Sequence, residues 1–287
     1  MKLVLLAAAG VLCAAASQLA AQTAAPPSVL RIIREDVKQG KDSAHRNSEN
    51  AFMVEAAVSH YPAHVIGMTS ITGTGQAWFL EGHDSFDAVE KTLNAFGATD
   101  SKFAQLDELD AEYRTSSRSW LAIYRSDLSY HPEDWMQNFP KARFVSVDLI
   151  RSPSGHEADL EEVGHIIADA ERKSMSDQPV VVYQVVSGLP SGTYLLFRPM
   201  TSLKSLDSEA DRDRAMVQAM GDTTAKRFAK AVSDGITSSE TLLFGLEPRM
   251  SYVSKEFIAA DPDFWTPKTE APKAKPRPKA AAKPANQ

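Results

Sequence analysis

The chain has 287 residues, with 31 Lys and Arg against 37 Asp and Glu, 43% hydrophobic residues and a single Cys. That length holds one large or two small domains, and the composition excludes a disordered polymer and a membrane-embedded chain. A net charge of -6 argues against a nucleic-acid partner, and one Cys excludes both a disulfide framework and a Cys-based zinc site.

Residues 1–21 read as a secretory signal peptide. Lys2 supplies the positive start, residues 3–16 a short apolar stretch, and Leu19-Ala20-Ala21 a small-residue cleavage site before Gln22. A bilayer span takes about 20 apolar residues, so no membrane span is expected. Cys13 lies inside the signal, which leaves the mature chain without a thiol. A periplasmic or secreted location is the expectation.

The body then divides into two similar halves, 28–131 and 143–265, joined by a connection at 132–142. The first opens with the β-branched run Val29-Leu30-Arg31-Ile32-Ile33-Arg34 and a helix over 41–59. Two strands follow, at 64–71 and 76–82, joined through Thr72-Gly73-Thr74-Gly75. A helix opens at Asp84-Ser85, and a last strand runs over 119–124. The second half repeats this order. A strand over 144–150 precedes a helix over 156–174, in which Leu160, Val163, Ile167 and Ala170 form one apolar stripe. Strands follow at 180–187 and 193–198 around Gly188-Leu189-Pro190-Ser191-Gly192. A helix then opens near Ser202, and a strand closes the half at 241–246. The aromatic-rich connection, with Trp135 and Phe139, is expected to pack across the joint.

Each half reads β-α-β-β-α-β, the ferredoxin-like motif. Val180-Val181-Val182-Tyr183-Gln184-Val185-Val186 is apolar on both faces, so that strand must be covered on both. The fold class is α+β: two ferredoxin-like halves packed sheet to sheet as a pseudo-dimeric α+β barrel. This order of elements resembles the dimeric α+β barrel superfamily, which includes the NIPSNAP-like and antibiotic-biosynthesis-monooxygenase-like families, with the two protomers fused in tandem. Two separate ferredoxin-like domains are the structural alternative.

The resemblance implies a central cavity of the kind that takes small apolar ligands. No motif of the superfamily's catalytic or haem-binding members matches position by position, so no catalytic residue and no cofactor is assigned. Candidate ligand-binding residues come from the strands, the aromatics and the histidines. Arg31 shares a face of the first strand with Glu35, Asp148 sits mid-strand in the counterpart, and Glu81 and Arg198 end the third strands. Tyr124 and Tyr183 could line the cavity. His45 and Glu49, four apart on a helix, would aim at the barrel rim, and His64 begins a strand. His45 and Glu49 could supply two metal ligands, but no third is evident and no metal is assigned.

Residues 266–287 hold five Pro, six Ala and six basic residues against Glu270, the composition of an extended tail. The tail carries +5 and the leader +1, which leaves the body at -12. Such a tail could tether the protein to anionic envelope polymers. Three functional readings follow: a binder of a small apolar or aromatic ligand, a cofactor-independent oxygenase-like enzyme, and a non-catalytic envelope-interaction protein working through its tail.

Overall fold

Side chains change face at every strand residue. In Val29–Val37 (β1), Leu30 and Ile32 therefore turn one way, and Arg31, Ile33 and Glu35 the other. The computed structural model describes residues 25–98 and 100–266. The expected signal peptide and all of the basic tail but Thr266 lie outside the described residues.

Helix Asp42–Val58 (α1) follows, then the strands Val65–Ser70 (β2) and Gln76–His83 (β3), the helices Phe86–Ala98 (α2) and Asp100–Asp110 (α3), and Arg114–Tyr124 (β4). A short helix, Pro132–Asn138 (α4), leads to Phe144–Arg151 (β5), Glu157–Ser174 (α5), Val181–Ser187 (β6) and Thr193–Met200 (β7). The long helix Glu209–Gly235 (α6), strand Ser238–Leu246 (β8), and the short helices Lys255–Ala260 (α7) and Pro262–Trp265 (α8) complete the described chain. No helix among the described residues is long and apolar enough to cross a membrane.

The eight strands close into one antiparallel barrel, in the order β1-β3-β2-β8-β5-β7-β6-β4. Strands β1 to β4 lie as β4-β1-β3-β2, and β5 to β8 in the matching order β8-β5-β7-β6. Two seams join these groups: β2 against β8 through Met68 and Leu246, and β4 against β6 through Tyr124 and Tyr183. Closure leaves no free sheet edge. It overturns the alternative of two separate ferredoxin-like domains.

Alternation sorts the side chains into two layers. Ile32, Met68, Trp78, Trp120, Val145, Val147, Tyr183, Leu195 and Phe244 turn inward and form one core shared by both groups of strands. Outside, Ile33, Val37, Val65 and Phe79 pack under Met53 of α1, while Val180, Val182 and Tyr194 pack with Leu160 of α5. The two-sided strand is thus covered on both faces over residues 180–183, as its composition requires, while Val186 near its end stays exposed. Trp135 stacks on Phe139 at 4.5 Å and joins the core at one end of the barrel.

One boundary differs from the sequence expectation: β4 begins five residues before 119. The added residues of β4 include Thr115, Ser116 and Ser117, which carry no apolar alternation. They are held by pairing with Asp36 and Glu35 across the ladder. At one contact only glycine fits: a Cβ on Gly67 would stand 2.2 Å from the Met250 carbonyl oxygen. The close approach lets the Gly67 amide donate to Ser251 Oγ at 2.9 Å and its carbonyl accept from the Glu247 amide at 2.9 Å.

Candidate functional site

The middle of the barrel is filled by side chains. Trp78, Trp120 and Phe244 meet there, with ring centroids 5.3 and 5.0 Å apart. Space opens at the end where β1 begins. There a cavity of about 210 Å³ is walled by Leu30, Ile66, Leu80, Trp135, Phe139 and Phe197, with Phe257 of α7 over it. The inward-facing residues of strands β1, β2, β3 and β7 build the wall, and the connection and α7 close the top.

Polar groups at this mouth are few. The Tyr183 hydroxyl donates to the Pro27 carbonyl at 2.9 Å, and burial pushes that phenol well above its ordinary pKa. Ser254 Oγ accepts from the Phe257 amide as a helix cap. His64 borders the cavity and packs against Tyr252 at 5.3 Å. Such a site selects by shape and apolar contact, with at most two or three hydrogen bonds to orient a guest.

A second cavity, of about 220 Å³, lies in the layer between the outer face of the first four strands and helices α1 and α3. Two polar networks form part of its wall. In one, Glu81 receives Arg31 Nη1 at 3.3 Å, the Tyr61 hydroxyl at 3.0 Å and His83 Nε2 at 2.7 Å. Burial first, and the Glu81 charge second, push the Tyr61 phenol above its ordinary range.

In the other network, His45 Nε2 lies 2.8 Å from Glu35 Oε2, 3.6 Å from Asp110 Oδ2 and 4.0 Å from Glu49 Oε1. Arg114 donates to Glu35 at 2.6 Å and to Asp110 at 3.1 Å, and also binds Asp107. Burial raises Glu49 well above the usual carboxylate range, and the charges on Glu35 and Asp110 raise it further. Burial raises Asp110 too, against the opposing pull of His45, Arg114 and the nearby Ser48 hydroxyl.

The sequence candidates separate into three places. His64 and Tyr183 border the mouth, and Tyr124 faces inward beside Tyr183, with rings 5.7 Å apart. Arg31, Glu81 and His45 lie instead in the helix-side layer. This corrects the expectation that His45 and Glu49 aim at the barrel rim: their helix packs on the outer face of the sheet, and they meet Glu35 there. Asp148 and Arg198 pair with each other on the outer face of the other four strands, and Thr241 donates to Asp148 at 2.6 Å. They form a surface-side ion pair, away from both cavities.

Sequence reasoning missed Asp110 and Arg114. Their only local signal is the pair Asp107 and Asp110, three apart on one face of α3, with Arg114 opening β4 four residues later. A further hollow of about 450 Å³, an open crevice beside Lys141, Thr201 and Arg212, touches neither network.

No family model matches the chain and no curated protein does. Solved structures do match. A candidate monooxygenase from Fusobacterium nucleatum subsp. nucleatum is 11% identical with a TM-score of 0.51, over 78% of this chain and 93% of that one. An anthrone oxidase-like protein is 14% identical with a TM-score of 0.51, over 76% of this chain and 91% of that one. A variant chlorite dismutase from Candidatus Nitrospira defluvii is 11% identical with a TM-score of 0.48, over 78% and 92%. At such identities the likeness is one of fold. The chain shares the fold of these proteins, a mixed α+β fold whose eight antiparallel strands close into one barrel within one polypeptide.

Proposed function

We propose that this protein binds one small apolar or aromatic molecule in the mouth of its barrel. The observation that carries the reading is the aromatic-walled cavity of about 210 Å³ beside His64 and Tyr183. An apolar cavity of about 150 Å³ already takes benzene, so a single ring with substituents fits. Tyr183 and His64 are the groups that would orient it.

Thermal unfolding with phenols, quinones and indoles tests this. A guest at about one hundred times its Kd stabilises by roughly 2.7 kcal/mol, which in a domain of this size raises Tm by about 5–10 °C. Ile66→Trp, which fills the cavity from a half-buried position, should fold and lose that rise. A panel with no rise, or a rise that survives Ile66→Trp, ends the reading.

A second reading, a cofactor-independent oxygenase-like enzyme, is favoured by the convergence of Arg31, Tyr61 and His83 on Glu81 beside the helix-side cavity. The oxidase and monooxygenase descriptions of the two neighbours of like fold agree with it. Oxygen uptake on adding a bound guest would separate an enzyme from a binder.

Two inferences concern the chain's history and location. The matching strand orders support a tandem duplication; halves that fail to superpose strand for strand would overturn it. The leader supports export to the periplasm or beyond, with the basic tail as a tether to anionic polymers. The exported chain should then have the mass of one that starts at Gln22, and the full-length mass would exclude cleavage.

A further inference from the structure

We propose that Glu35, His45, Glu49 and Asp110 bind one divalent first-row transition-metal ion between α1, α3 and the outer face of β1. Each residue offers one donor atom, and the four atoms lie within 4.8 Å of one another. Ligands about 2.1 Å from a common ion stand roughly 3–4 Å apart. His45 Nε2 meets Asp110 Oδ2 at 3.6 Å and Glu49 Oε1 at 4.0 Å, which is too far for hydrogen bonds and right for two ligands of one ion.

Ordinary ion pairing leaves part of the cluster unexplained. Glu49 is 5% exposed and aims its carboxylate at the cluster, yet it makes no hydrogen bond there. Asp110 is fully buried, and its Oδ1 has no hydrogen-bond partner. Unpaired carboxylate oxygens in such a place are expensive unless something positive meets them.

Charge gives the same answer. With all three carboxylates ionised, as metal ligation requires, they and the Arg114 guanidinium sum to -2, and one divalent ion makes the group neutral. Arg114, bound to both Glu35 and Asp110, acts as a positioning residue that holds the ligand carboxylates from behind. One imidazole with carboxylates and no thiolate suits zinc, manganese or iron better than copper(I), calcium or magnesium. The site is separate from the barrel mouth, and the proposal stands whatever that mouth binds.

The test uses the full chain, tag removed, with His131→Ala as background. That change dismantles the exposed His131, Glu133 and Asp134 group, which could hold an adventitious ion. After chelation and dialysis, Zn²⁺ and Mn²⁺ are titrated by calorimetry and counted by mass spectrometry. The expected result is about one equivalent per chain and a rise in Tm, with Glu49→Gln weakening Zn²⁺ binding at least tenfold, the loss typical of damage to a metal site. If Glu49→Gln fails to fold, pulsed electron resonance of Mn²⁺ in the background chain decides instead, and one imidazole nitrogen should couple to the ion. Less than about one-tenth equivalent bound, undiminished binding by Glu49→Gln, or bound Mn²⁺ without nitrogen coupling overturns the proposal.

Discussion

Replacing Arg114 by methionine is expected to cost about 3–5 kcal/mol of stability at pH 7, the usual result of removing one partner from a buried ionic group. The side chains of Glu35, Glu49 and Asp110 are no more than 7% exposed. Arg114 is the guanidinium that reaches both Glu35 and Asp110, and methionine keeps its volume while removing the charge. Arg114→Lys should recover part of the loss, because an ammonium restores the charge without the two-pronged geometry.

The pH dependence has a definite sign. Burial raises Glu49 well above its ordinary 4.5, so the folded state holds that proton more tightly than the unfolded chain. Its contribution is then favourable near pH 4.5 and is lost as pH rises through the raised value. Arg114 opposes that rise at Glu49 and at Asp110, so both rise further without it. The gap between variant and wild type should therefore widen from pH 4.5 to pH 7. Urea unfolding in a chelating buffer reads both quantities. A loss under about 1 kcal/mol, the range of exposed pairs, or a gap that ignores pH, would show that Arg114 does not hold these carboxylates.

The strands were legible because period-two alternation and glycine turns are local signals. Gly73 and Gly188 stand at φ +76° and +95°, a region that side chains oppose, and both mark strand connections as the sequence indicates. The strand at 180–187 announced two buried faces through composition alone. What the sequence could not supply was the direction of each face. Arg31 and Glu81 sit directly opposite in the β1–β3 register, and a shift of one residue would have sent both into the barrel. Leu30, Ile32, Trp78 and Leu80 decide the matter, since they bury more apolar area inward.

The helix-side cluster was half legible for a similar reason. His45 and Glu49 share a helix face by spacing, and Glu35 and Arg31 share a strand face by parity. Bringing the helix over that strand is a tertiary event. Asp110 and Arg114 lie more than sixty residues from His45, and Asp110 belongs to an acidic helix that reads as a solvated surface.

Trp78→Ala should remove about 3–5 kcal/mol, the cost of emptying a large aromatic site, and lower Tm by roughly 6–20 °C for a domain of this size. Trp78 is fully buried on β3. It meets Trp120 of β4 edge-on at 5.3 Å and Phe244 of β8 at 5.0 Å, so one side chain ties the first four strands to the last. Its Nε1 donates to Gln76 Oε1 at 3.0 Å, and alanine would strip a buried amide oxygen of that partner as well. Trp120→Phe is the informative control. The Trp120 indole nitrogen is buried without a hydrogen-bond partner, so phenylalanine removes an unsatisfied donor and keeps most of the ring contact. It should cost far less than Trp78→Ala. Because the core is shared, denaturant unfolding followed by circular dichroism should stay a single transition in each variant. Two separated transitions in Trp78→Ala would mean that each group of four strands holds its own core, and that the seams through β2–β8 and β4–β6 join them only at their edges.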